Sequence, residues 1–337
     1  MQHYRLSAPD TLVRDERPTP EPGPHEVRVR VHAVSLNFRD LMIASGRYGA
    51  PGVVPPIIPA SDAAGVVEAV GAGVTRWRVG DRVTNTFFPR WIDGRNAPEL
   101  TGRTWGGGTD GVLAEAFVAD ASALVATPAH LSDVEASTLP CAGVTAWNAL
   151  WPTAGLQPGQ SVLLLGTGGV SIWALQLAHA AGLRTIVTSS SDDKLARAAA
   201  LGADATIHYG RVPDWAPAVR ELTGGAGVDA VLEVGGEGTL ARSLAALADG
   251  GTAAVIGGVS GFGATALAPG ALIGGAKRLA GVYVGSRRMQ EDLGRFVAQA
   301  GLRPVVDRVF GFDEAPAAFE HLRAGRHLGK VVVQLRD

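Results

Sequence analysis

Gln160-Ser-Val-Leu-Leu-Leu165, Gly166-Thr-Gly-Gly-Val-Ser171 and Ile172-Trp-Ala-Leu-Gln-Leu-Ala-His-Ala-Ala-Gly182 follow one another without interruption. The first block is a short apolar run, the pattern of a parallel strand buried on both faces. A glycine turn comes next, then an apolar stretch of helical period. Strand, glycine turn and helix in this order form the phosphate cradle of a dinucleotide site. Gly166 permits the tight turn, and Gly168 withholds the Cβ that would block a pyrophosphate. Gly169 and Val170 open the helix, and Ser171, small enough for helix–strand packing, takes the third position of the motif. The helix N-terminus offers N–H groups and a partial positive charge to phosphates.

Downstream, strands and helices alternate. Strands are predicted at 184–188, 205–209, 230–234, 253–256 and 279–284, separated mostly by Ala- and Leu-rich helical stretches. This is the pattern of a doubly wound parallel sheet, a Rossmann domain over residues 128–285. Residues 286–337 leave the alternation, end in a strand at 329–335, and are expected to return to the first domain. Residues 1–127 read as β-rich. Val27-Arg-Val-Arg-Val-His-Ala-Val34 alternates with period two, and 64–71 and 80–83 give the short strands and turns of a small barrel. Residues 88–111, with Trp91, Trp105 and Gly106-Gly-Gly108, read as a long loop, either a binding lid or surface decoration.

A chain of 337 residues is long enough for two domains with full cores. With 46% hydrophobic and 18% charged residues it has ordinary globular composition, and a net charge of −2 argues against nucleic acid as the main partner. No apolar run approaches membrane-spanning length, and the N-terminus lacks a signal-peptide pattern. The single cysteine, Cys141, rules out an intrachain disulfide framework. A cytoplasmic enzyme acting on a small molecule is the expectation.

An NAD site usually carries Asp or Glu at the end of the second strand to bind the ribose hydroxyl. Here that strand ends in Thr188-Ser-Ser-Ser191. Asp192 and Asp193 better suit the first turn of the next helix. Hydroxyls of Ser189 and Ser190 can bond a 2′-phosphate, and Lys194 can supply the countercharge, or stand as a solvated helix residue. The missing acid and the available lysine favour NADPH. Because ligands bind beyond the carboxyl ends of parallel strands, Val234, Gly257, Val259, Tyr283 and Val284 are further cofactor contacts.

Asn37-Phe-Arg-Asp40, Gly65–Gly71 with Gly80-Asp-Arg-Val83, Cys141-Ala-Gly-Val-Thr145, Gly166–Ser171 and His327-Leu-Gly-Lys330 together resemble the medium-chain dehydrogenase/reductase superfamily over essentially the whole chain. The resemblance implies a GroES-like β-barrel catalytic domain split around the Rossmann domain, with the active site in the cleft. It implies that Thr145, Tyr209 (beside a 2′-phosphate) and Lys330 lie at the cofactor. Many members bind zinc through Cys, His and Cys. This chain places Asn37 and Ser61 where the first two would stand, leaving Cys141 alone, and a lone thiolate cannot build a four-coordinate site. No metal is expected.

The zinc-free branches resembled are the quinone oxidoreductases and enoyl reductases. They share an Asn-x-x-Asp segment with a tyrosine eleven residues after the Asn, here Asn37 and Tyr48. The resemblance makes Tyr48 the proton donor, with Asn37 binding substrate or holding the tyrosine. The chemistry needs such a donor, because hydride addition to an enone leaves an enolate. Three readings follow. The first is NADPH-dependent, zinc-independent reduction of an activated C=C bond or a quinone. The second is metal-free carbonyl reduction or alcohol oxidation on the same scaffold. The third is a non-catalytic NADPH-binding protein. Phe88, Trp91, Trp105 and Trp151 are candidate pocket aromatics for a bulky apolar substrate. The last Rossmann strand reads as an exposed edge, and with the resemblance it points to a homodimer.

Overall fold

A computed structural model of the chain describes residues 1–48 and 55–335. The chain divides into two compact units, Met1–Val144 with Gly285–Asp337, and Thr145–Val284. Sequence alternation assigns residues 128–144 to the second domain, but they cluster with the first. The reason is a polar anchor. Asp133, at the start of the short helix Asp133–Ala136, accepts from Arg82 Nε (3.0 Å) and pairs with His32 Nδ1 (2.7 Å).

In the first unit the long strand Glu26–Leu36 organises the sheet. Its N-terminal half pairs with Ala116–Asp120 and its C-terminal half with Lys330–Gln334, while Asp62–Val70 pairs along its other edge. Val306–Gly311 lies outside Lys330–Gln334, and Arg82–Asn85 and Leu124–Ala126 extend the opposite side. The expected alternation holds from Glu26 to His32. Beyond it, residues 33–36 are buried on both faces. The antiparallel register sets Ser35 opposite Asp62 and Leu36 opposite Val331. Asn37, Ser61 and Lys330 therefore meet at one end of the sheet, although they come from three separated stretches of chain.

The 88–111 segment is neither a lid of free aromatics nor surface decoration. Phe88 and Trp91 are buried and pack together at 5.8 Å between ring centroids. Trp105 packs edge-on against the core residue Phe117 at 5.4 Å, and Trp151 lies tilted against Trp147 at 4.4 Å. Phe88 and Trp91 spend their apolar surface on the protein interior, so the expectation that these two line a substrate pocket is corrected; Trp105 and Trp151 are half-buried.

The second unit is a six-stranded parallel sheet. Its spatial order is Ala205–His208, Arg184–Ser189, Ser161–Leu165, Val228–Glu233, Leu247–Val255, Arg278–Gly281, so the strands run 3-2-1-4-5-6. Ser161–Leu165 is buried throughout, as its apolar run requires. The last strand ends at Gly281 rather than 284, and Val284 adopts a positive φ of 51°. That conformation is rare for a β-branched residue, and it stops an extended strand. Arg278–Gly281 pairs on one side only. Among the described residues no helix is long and apolar enough to cross a membrane.

Candidate active site and nucleotide cradle

In the second unit the glycine turn has the expected form. Gly166 takes φ +71°, and Gly168 caps the twelve-residue helix Gly169–Ala180. A Cβ built on either glycine meets nothing within 4 Å, so the space above the helix start is open. Ser171 Oγ donates to Leu165 O (2.7 Å), which seats the helix against the strand. An open, glycine-lined helix N-terminus fits a pyrophosphate.

Ser189 is buried and its Oγ accepts from Ser191 N at 3.3 Å, while Tyr209 OH donates to Ser190 Oγ at 3.1 Å. Ser191 caps the helix Asp192–Ala200 by accepting from Lys194 N (3.4 Å), and Asp192 forms an ion pair with Arg211. The structure thus gathers Ser189, Ser190, Lys194 and Tyr209 at the end of the second strand and adds Arg211, which sequence reasoning missed. Its only signal was its place two residues beyond Tyr209. Val234 and Gly257 follow the next two strands, and Val259 and Tyr283 are exposed. The loops of Val234 and Gly257 share one anchor that sequence reasoning also missed. The fully buried Glu233 carboxylate accepts from Gly235 N (2.7 Å), Gly236 N (3.0 Å) and Thr239 Oγ1 (2.6 Å), and its carbonyl accepts from Ile256 N (2.8 Å). Thr145 is buried one turn before Asn148, whose Nδ2 donates to Val284 O (2.9 Å).

In the first unit a buried polar cluster forms where the strands place it. Asn37 caps the helix Phe38–Ala44, and its backbone N–H donates to Asp40 Oδ2 (2.8 Å). The Asn37 side-chain oxygen does not cap the helix; it accepts from Lys330 Nζ, which also donates to Leu36 O (2.6 Å). Asp62 accepts from Ser61 Oγ (2.5 Å) and from Cys141 N (3.1 Å). That second donor is available because Leu139–Gly143 forms a π-helical turn opening with a proline, which leaves early N–H groups unpaired. Asn37 Nδ2 favours the Asp62 charge, at a geometry short of a regular hydrogen bond. Ala60, immediately before Ser61, is buried with φ +69°, a strained turn of the kind that clusters at functional sites.

Burial dominates the electrostatics. It raises the Asp62 carboxyl against the opposing pull of Lys330, Ser61, Asn37 and Cys141 N, and it lowers Lys330 against Asp62, Cys141 and Asp40. Burial, reinforced by Asp62, pushes the Cys141 thiol up. It raises Asp40 from 3.8 to about 6 despite Arg39. A carboxyl raised by folding contributes its stability below the unfolded value and loses it as pH climbs through the folded one. Between about pH 4 and 6 Asp40 should therefore cost the fold roughly 3 kcal/mol. Asp40→Asn should flatten the wild-type stability profile over that range. Equal slopes for the two proteins in urea titrations would refute the assignment.

Arg39 is buried as well. Its guanidinium donates to Trp105 O (3.0 Å) and Thr104 Oγ1 (2.9 Å), and it lies 5.1 Å from the Tyr48 ring centre and 4.9 Å from that of Phe87. Tyr48 is half-buried, packed against the cluster of Leu6, Ile43, Ala44 and Ile57.

The family model for an alcohol dehydrogenase GroES-like domain matches residues 23–129, and that for a zinc-binding dehydrogenase matches 169–299. The chain belongs to the medium-chain dehydrogenase/reductase superfamily. It is 42% identical over 339 residues to a zinc-type alcohol dehydrogenase-like protein of Schizosaccharomyces pombe, covering 99% of this chain and 98% of that one. It is 32% identical over 348 residues to a quinone oxidoreductase of Pseudomonas aeruginosa, covering 99% and 98%. A solved NAD-dependent alcohol dehydrogenase superposes with a TM-score of 0.90 at 35% identity, covering 99% of this chain and all of that one. This medium-chain dehydrogenase/reductase is an oxidoreductase with a GroES-like and a Rossmann-like domain, and its family uses a nicotinamide cofactor.

Zinc, which the matched description names, does not fit the cluster. Asn37 and Ser61 are poor zinc ligands, the Cys141 thiol is held against ionisation by burial, and the Lys330 ammonium already takes the Asn37 oxygen. Among the described residues no three His, Cys, Asp or Glu side chains are grouped to hold a metal ion.

Proposed function

We propose that this enzyme is an NADPH-dependent, zinc-independent reductase of an activated C=C bond, an enone or enoyl compound, or of a quinone. The observation that carries the reading is the ammonium of Lys330 bonded to Asn37 among Asp62 and Cys141. Lys330 already occupies the Asn37 oxygen, so acid chemistry falls to organic groups. When bound, the reduced nicotinamide supplies the hydride. Gly166, Gly168, Gly169 and Val170 would hold its pyrophosphate, with Thr145, Val234, Gly257, Val259, Tyr283, Val284 and Lys330 as further contacts. Lys194, Tyr209, Ser189 and Ser190 would take the 2′-phosphate. Arg211 supports that assignment, since it pairs Asp192, one of the two acids at the start of the following helix. Tyr48 would protonate the substrate carbon, and Asn37 would bind the substrate carbonyl or hold the tyrosine.

Enones and quinones with NADPH should be turned over at rates a chelator leaves unchanged, and NADPH should bind more tightly than NADH. Faster turnover of ketones or alcohols would select the carbonyl reading instead, which the S. pombe relative's name favours. Equal affinities for the two nucleotides would remove the roles of Lys194 and Tyr209. The same reading includes a homodimer joined through the edge strand Arg278–Gly281, beside which Tyr283 is exposed. Light scattering on that sample should report two chains, and a single chain would count against it.

A further inference from the structure

Arg39 is a costly residue to bury. Its relative exposure is 9%, and Nε has no hydrogen-bond partner. Its two terminal nitrogens are spent on Trp105 O and Thr104 Oγ1. Burial disfavours its charge, and the Asp40 carboxylate beside it is the largest of the influences that raise its pKa in spite of that. Phe87 and Tyr48 present their rings to it, and Asp40 lies at 3.7 Å. A loop clamp would need only the two hydrogen bonds. It would not need a fixed cation against a phenol.

We infer that Arg39 is a positioning residue for Tyr48: its guanidinium holds the phenol in place and stabilises the phenolate left when Tyr48 gives up its proton. This rests on the proton-donor role proposed for Tyr48. In that step the substrate's β-carbon gains hydride from the reduced nicotinamide, which is oxidised. The resulting enolate takes the Tyr48 O–H proton at its α-carbon. The phenolate is then reprotonated from water. A cation stacked on the ring steadies the side chain through the whole cycle, and its charge opposes the anion only while that anion exists.

A double-mutant cycle tests it. Tyr48→Phe removes the acid. Arg39→Met removes the cation, and Arg39→Gln keeps donors for Trp105 O and Thr104 while removing the charge, in case the Met variant fails to fold. On an enone, either Arg39 variant should lower kcat about 10- to 100-fold, with KM and the NADPH dissociation constant changed less than threefold. Arg39→Lys should recover part of the rate. In the Tyr48→Phe background the Arg39 substitutions should cost less than threefold more, because both act on one proton. If Arg39 loss costs the same factor with and without the phenol, or nothing in either, the inference is overturned while the reductase reading stands. If Tyr48→Phe itself leaves kcat unchanged, the proton-donor role fails, and the inference falls with it.

Discussion

Tyr48→Phe should reduce kcat on an enone by roughly 10²- to 10⁴-fold, the span a positioned general acid supplies. The ring is retained, so its packing on Leu6, Ile43 and Ala44 and its place beside Arg39 survive. Only the hydroxyl is lost. NADPH affinity should be unchanged, because the pyrophosphate and 2′-phosphate are assigned to the glycine turn and the Ser190–Tyr209 pair, neither of which includes Tyr48. A deuterium-oxide solvent isotope effect present in the wild type should change in the variant as proton transfer becomes rate-limiting. Wild-type rates in Tyr48→Phe would assign the proton to another group, and a loss confined to cofactor binding would place Tyr48 at the nucleotide instead.

Lys330→Met should destabilise the first unit by about 3–5 kcal/mol, the usual result of removing one partner from a buried charge cluster. Lys330 is 3% exposed; burial lowers its pKa, and Asp62 is the first group opposing that shift. Without the Lys330 amine, buried Asp62 loses the group that most opposes the upward shift of its pKa, and the carbonyl of Leu36 and the side-chain oxygen of Asn37 each lose a donor. Lys330→Met combined with Asp62→Leu should recover much of the loss, since the stranded charge is then gone. The test is the denaturant midpoint of each variant at unchanged slope. If Lys330→Met matches wild type, the ammonium is not a structural cation of the cluster. If the double variant is as unstable as the single, charge is not the cause.

The nucleotide-binding unit was legible because each of its signals is local. The fully buried Ser161–Leu165, the positive φ required at Gly166 and the small Ser171 lie within eleven consecutive residues, and each has one structural meaning. The strand ends followed from the same alternation, though Val284 broke the last strand early for a conformational reason no periodicity shows. Residues 128–144 were placed in the wrong unit because Asp133, whose partners Arg82 and His32 belong to distant strands, decides where they pack. The aromatics of 88–111 were misread because whether an aromatic faces a pocket or the core depends on what packs against it. Arg39 stands at a variable position of its Asn-x-x-Asp segment, Arg211 and Glu233 carry no motif, and only their neighbours give the three meaning.

From its sequence alone this protein is a two-unit α/β chain with a dinucleotide cradle, and with side chains that hold no zinc at two of the three positions where relatives would place ligands. Whether those positions meet, and what fills the space among them, was decided in three dimensions. Lys330 stands 293 positions along the chain from Asn37 and reaches it because the strand Lys330–Gln334 pairs antiparallel with Glu26–Leu36 in one particular register. Neither strand encodes that register locally. It is set by which faces of both must be buried together, and a slip of one residue would turn the ammonium to the opposite side of the sheet.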